Sequence, residues 1–337
     1  MEINMTKAVT KAQVQKSNQK RFLGFWMLTI VVIFSALQIN NANADSFNTN
    51  HVLVGKIWSV DQNKFIDEES LKEHAVSSKY VVVGETHDND QHHIAQAKVL
   101  TWLLNDNKIV SPVFEMLSSD QLKEIDGKTL KSSDNFFDKV SWDQSGWPDR
   151  KLYKPIFDIV IKNDLPIYGA ETERKLLMQL MKGGPDKLPT DISSYLKTVK
   201  LDENAKEQFK EEIIASHCGM LPEKMVKPMI LGQRVRDAVM AKTVIEAGSN
   251  SQPILIAGSG HARKDVGVPA YIKAQNPEAN ILSIALMEVV EDVTIPSEYA
   301  GAWLSEEIPF DYVWFTQRIE REDPCKELKQ HFKKHPI

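Results

Sequence analysis

Two runs of the chain share a pattern that could do chemistry. Val81-Val82-Val83 leads into Gly84-Glu85-Thr86-His87, and Ile254-Leu255-Ile256-Ala257 leads into Gly258-Ser259-Gly260-His261. Each is an apolar run, a glycine, two residues and a histidine. Imidazole is the side chain that exchanges protons and binds metals near neutral pH. A third apolar run, Val110 to Phe114, ends in Glu115. If the three runs are strands of one sheet, two imidazoles and a carboxyl group meet at its carboxyl edge, where open α/β sheets bind ligands. Such a set could hold a divalent metal through His87, His261, Glu85 and Glu115, run acid–base chemistry with Glu85 and Glu115, or orient a ligand. The glycines are expected to let the chain turn sharply at each strand end. The plainer alternative is that each histidine caps a helix or bonds to backbone, with Thr86, Asp88 and Asp90 as capping residues at a helix start.

The elements that must position these groups are legible from hydrophobic pattern. Lys79–Val83, Val110–Phe114, Leu165–Tyr168, Ile254–Ala257 and Ile281–Leu286 are short, mostly non-alternating apolar runs. Runs of that kind fit strands of a parallel sheet covered on both faces. Apolar residues at 94, 95, 97, 99, 100, 103 and 104 have helical spacing and predict a crossover helix over His92–Leu104. The expected fold class is therefore α/β, a mainly parallel sheet with helices on both faces. Residues 118–164 and 175–250 hold no further strand and predict a helical cap or lobe inserted between strands. The helix-like segments of its second part are Ile192–Val199, Glu203–Ala215 and Pro222–Ala247.

The ends of the chain and its charge set the compartment. Residues 1–21 carry Lys7, Lys11, Lys16, Lys20 and Arg21 against Glu2, an apolar run follows from Phe22 to Leu37, and Ala42-Asn43-Ala44 precedes Asp45. That order predicts a signal peptide over 1–44, with an uncleaved anchor as the alternative. No cysteine stands near Ala44, so a lipobox is absent. Residues 45–325 form the expected domain and 326–337 a basic tail. The whole chain of 337 residues has net charge −5. Removing 1–44 takes away five positive charges and one negative, giving −9, which disfavours nucleic acid as a partner. Cys218 and Cys325 could pair in an oxidising compartment or stay as two free thiols.

The motifs around the histidines resemble the ChaN-like haem-binding family, within the wider Tiki/TraB/erythromycin-esterase-like group. The likeness rests on Val83–Asn89, Phe114-Glu115-Met116-Leu117 and Ala257–Arg263. Gly146-Trp147-Pro148 with Tyr153, His217-Cys218-Gly219, Gln233–Ala241, Gly267-Val268-Pro269 and Asp311–Phe315 extend it over roughly residues 50–325. It implies an α/β core with a helical lobe and a role in haem-iron uptake. Tyrosinate is a hard oxygen ligand suited to ferric iron, and the resemblance also points to Tyr153 as the axial ligand. Tyr153 follows Trp142 and Trp147, whose rings could line a porphyrin; otherwise it is a core aromatic.

Other candidates are weaker in kind. His217 is a candidate for iron or a propionate, with a solvated cap histidine as the alternative, and Arg174 a candidate for a propionate, though a surface charge after a strand is the favoured reading. Met220, Met225, Met229 and Met240 read as core filling. His92 and His93 point about 100° apart on a helix and are not expected to share one site. A homodimer around haem and an outer-membrane haem receptor or uptake system are the partners such a carrier would have. The competing reading is a metal-dependent hydrolase of the Tiki type, with a divalent metal at the paired Gly-x-x-His motifs.

Overall fold

The computed structural model describes residues 50–329, apart from 107, 124, 126–128, 324 and 327. The segment read as a signal peptide and the last residues of the tail lie outside the described residues. Eight strands form one sheet: β1 Ile57–Ser59, β2 Lys64–Ile66, β3 Tyr80–Glu85, β4 Val110–Phe114, β5 Tyr168–Gly169, β6 Gln252–Gly258, β7 Ile281–Glu288 and β8 Tyr312–Thr316. Their order is β2-β1-β8-β7-β3-β6-β4-β5. The six strands from β8 to β5 run parallel, and β1 and β2 add an antiparallel hairpin at the β8 edge.

Alternation along the central strands shows why the sheet is covered twice. Val81 and Val83 of β3 enter one apolar cluster, while Val82 enters the other. The first face is covered by α1 Glu68–Ser77, α2 Asp90–Asn105, α4 Ser133–Lys139 and α5 Arg150–Lys162. Short α3, Ser119–Leu122, follows β4, and short α10, Ser259–Ala262, follows β6. The second face is covered by α6 Arg174–Gly183, α7 Thr190–Thr198, α9 Glu223–Ala247 and α11 Val268–Gln275, with α8 Glu203–Ser216 packed on α9. Residues 118–164 thus pack onto the sheet through Phe136, Phe137, Trp142, Tyr153 and Phe157, all buried. Among the described residues no helix is long and apolar enough to cross a membrane.

Four of the five expected strands form where their apolar runs lie. The run at Leu165–Tyr168 shrinks to Tyr168–Gly169 because Leu165 still donates to the Val160 carbonyl at the end of α5 and Pro166 has no N–H to pair. β1, β2 and β8 carried no expectation of a strand. Three-residue strands such as β1 and β2 have too little pattern to read.

Candidate functional site

The two Gly-x-x-His motifs lie side by side because β3 and β6 are parallel neighbours, with Glu85 opposite Gly258. The glycines are there for close approach and not for a turn. Neither has a positive φ. A Cβ on Gly84 would lie 2.8 Å from Ser259 Cα, and one on Gly258 3.0 Å from His87 Nε2. Larger residues would push apart the loops that carry the histidines.

Glu85 is the hub. It is 3% exposed. Its Oε1 accepts from His87 Nδ1 at 2.8 Å and from the Tyr153 hydroxyl at 2.7 Å. His93 Nε2 lies 3.1 Å from Oε2 but off the line of a hydrogen bond, so neither atom has a hydrogen-bond partner. Burial pushes the Glu85 carboxyl up, but His93 and His87 outweigh it and hold it well below the usual carboxylate range. For His87, burial favours the neutral ring, but the bond from Glu85 and the charge of Glu115 raise its pKa.

His261 sits between two carboxylates. Its Nδ1 is 2.6 Å from Asp237 Oδ1 and its Nε2 is 3.2 Å from Glu115 Oε1. Glu115 also accepts from the Gly258 N–H at 2.8 Å and stands 3.9 Å from His87 Nε2. Burial opposes a charged ring, yet Glu115 and Asp237 raise the His261 pKa to about 10. Burial likewise opposes the Glu115 carboxylate, but His261 and His87 lower it to about 2. Asp237 is raised, chiefly by burial. The physical unit is one imidazolium clamped between Glu115 and Asp237.

That clamp predicts a pH dependence of stability. A folded pKa raised from 6.5 to about 10 contributes stability that is complete below pH 6.5 and lost as pH rises through 10. Urea midpoints measured from pH 6 to 10 should therefore fall, and in His261→Gln this alkaline decline should flatten. An unchanged slope in the variant would show that the clamp is not ionic.

The structure brings His87, His261, Glu85 and Glu115 together. Among the described residues no group of three or more His, Cys, Asp or Glu side chains is disposed to hold a metal ion. Both nitrogens of His261 and Nδ1 of His87 face carboxylates, to which they can donate N–H bonds. The capping expectation is corrected. Asn89, not Thr86, Asp88 or Asp90, is the N-cap of α2, accepting from Gln91 N–H.

Tyr153 has the surroundings of a core aromatic, the alternative to a haem ligand. Its ring is fully buried, 5.0 Å from Trp142 and 4.0 Å from His93 between centroids. Burial and the Glu85 carboxylate hold its hydroxyl well above the usual pKa of 10. A phenol that donates to a buried carboxylate is kept protonated. Trp142 is also sealed, its indole N–H given to the Pro148 carbonyl. Of the aromatic cluster, Trp147 is half-exposed and meets the His87 ring edge-on at 4.9 Å.

His93, Asp237 and Gln233 belong to the site and were not singled out for it. His93 and His92 do diverge: His92 accepts from the Thr86 N–H and bonds Thr316, and burial holds its pKa down at about 3. Gln233 Nε2 lies 3.2 Å from the His261 ring. Helical spacing alone could have linked Gln233 and Asp237, four apart on α9, as one face. Elsewhere, His217 is half-buried at the end of α8, and Arg174 is exposed at the start of α6. Met225 and Met240 are buried core residues. A cleft of about 300 Å³ lies at the opposite, amino edge of the sheet, around His74, Asn280 and Tyr312, away from all these groups.

The family model described as "Haem-binding uptake, Tiki superfamily, ChaN" matches residues 71–272, more than half of the chain. The chain belongs to this ChaN family. Among solved structures, ChaN of Campylobacter jejuni, described with cofacial heme binding, superposes with a TM-score of 0.61 at 22% identity. The match covers 79% of this chain and 97% of that one, and it shows a shared fold. A mutant of the erythromycin esterase EreC in its open conformation gives a TM-score of 0.42 at 14% identity, over 83% of this chain and 87% of that one. That likeness is too distant to carry an argument. No curated protein sequence matches the chain. ChaN membership makes haem the ligand to test against the residues: Tyr153 is buried with its hydroxyl given to Glu85, while His217 is half-buried at the end of α8. His217 Nδ1 is 2.7 Å from the Ile213 carbonyl oxygen, to which it donates, so Nε2 is the ring nitrogen not engaged by this bond.

Proposed function

We propose that this chain is an extracytoplasmic haem-binding protein of an iron-uptake system, which takes haem between the carboxyl edge of the sheet and the α6–α9 lobe. The family match over residues 71–272 carries the reading. Bound haem supplies a ferric iron that seeks an axial donor. His217 would give Nε2 to it, its ring held by the backbone bond to Ile213. Arg174 would pair with a propionate, and the half-exposed Trp147 would meet the porphyrin. Export is supported by the signal-peptide pattern of residues 1–44 and by the Cys218–Cys325 disulfide, a bond that persists in oxidising compartments. A second copy closing over haem and an outer-membrane receptor are the partners this reading proposes.

The test is a hemin titration of the mature protein followed by absorbance. His217→Ala should alter the ferric spectrum and weaken binding by at least roughly tenfold, about 1.4 kcal/mol. Tyr153→Phe should leave the iron spectrum as it is. Loss of a tyrosinate charge-transfer band in Tyr153→Phe, with His217→Ala unchanged, would reverse the assignment. No specific hemin binding by the wild type would overturn the function itself.

A further inference from the structure

The chain after β8 does not leave the body of the protein. Gln317, Ile319 and Arg321 are half-buried while Arg318, Glu320 and Glu322 are exposed, the alternation of an extended segment lying against a surface. The Gln317 carbonyl accepts from Asn89 Nδ2 at 3.0 Å. Arg321 then makes a double fork. Its Nε and Nη2 donate to Asp88 at 2.6 and 2.7 Å, and its Nη1 and Nη2 donate to Glu288, both at 2.7 Å. Asp88 directly follows His87, and Glu288 ends β7, so this anchor lies at the carboxyl edge. Four residues further on, Cys325 is bonded to Cys218, with Cα atoms 5.6 Å apart. Cys218 directly follows His217, in the turn between α8 and α9.

Four residues span at most about 14 Å, so the two anchors lie within about 20 Å of each other. One is the neighbour of His87 and the other the neighbour of His217. The chain therefore runs from the sheet edge, beside the His87–Asp88 loop, to the turn that carries His217. We infer that residues 317–323 form a strap bounding the haem site, tied ionically by Arg321 and, further along the chain, covalently by the Cys218–Cys325 disulfide, which sets how fast haem enters and leaves. The inference rests on haem binding between the edge and the lobe. The fork gives the ionic anchor a fixed geometry, since a guanidinium holds two carboxylates through directed N–H bonds. The disulfide gives the lobe end an anchor that thermal motion cannot open.

The test uses the full mature chain and two variants. Arg321→Gln frees the edge end alone, and the double change Cys218→Ser with Cys325→Ser frees the lobe end alone. Stopped-flow mixing with hemin should show association and dissociation both faster by about tenfold or more, with Kd changed by less than about threefold, as removing a barrier requires. In the protein without haem, modification of His87 by diethyl pyrocarbonate, followed by mass spectrometry, should also accelerate in both variants. Rates and His87 modification at wild-type values in a folded variant would overturn the strap. If the double cysteine variant does not fold, Arg321→Gln decides alone. If wild-type protein binds no hemin, the haem reading falls, and His87 modification still decides whether the segment bounds that side.

Discussion

Glu85→Ala is expected to destabilise the domain by about 3–5 kcal/mol, enough to remove a large part of its total stability. Glu85 is buried, and its carboxylate holds the His87 ring and the Tyr153 hydroxyl while facing His93. Removing it leaves a buried phenol and the His87 N–H without their acceptor. Glu85→Gln keeps an acceptor oxygen and nearly the same volume, so it should cost less. Urea unfolding of both variants checks this. A loss below about 1 kcal/mol in Glu85→Ala would mean that the cluster is not the internal support described above.

Replacing both cysteines by serine should lower stability by about 2–4 kcal/mol, with a chain-entropy ceiling near 5 kcal/mol for a loop of this length. The bond closes a sequence separation of 107 residues, so it removes many conformations from the unfolded chain. Guanidinium midpoints of the oxidised protein and the double variant test the effect. Equal midpoints would mean that the tie to Cys325 restrains only a local segment and leaves the unfolding equilibrium of the domain untouched. A Cys218 change would also act locally, because its φ of 56° is a left-handed conformation that non-glycine residues seldom adopt.

Much of the framework was legible in the chain itself. Val81–Val83, Val110–Phe114, Ile254–Ala257 and Ile281–Leu286 announce buried parallel strands, because a strand covered on both faces must be apolar at every position. The helices from Thr190 to Ala247 follow the expected segments closely. So does the meeting of His87, His261 and Glu115, since parallel strands that end in these residues deliver them to one edge. Short strands such as β1 carry too few residues for a period to show.

What each polar group does was decided by tertiary structure alone. Tyr153 and Trp147 are both aromatic residues of one cluster, yet one is sealed against Glu85 and the other reaches the surface. No local pattern separates them, because burial depends on how α5 packs against α2 and the sheet. The glycines of Gly84 and Gly258 looked like turn residues, and only the facing chains show that they are needed for close approach. Asp237 lies 24 residues from His261 and Arg321 lies 233 from Asp88. The sequence by itself determined an α/β sheet, the edge where its histidines gather and the two cysteines. The partners of those histidines, the disulfide and the strap came from the tertiary structure, because ion pairs and cross-links depend on distances through space, and these are set only when distant elements pack.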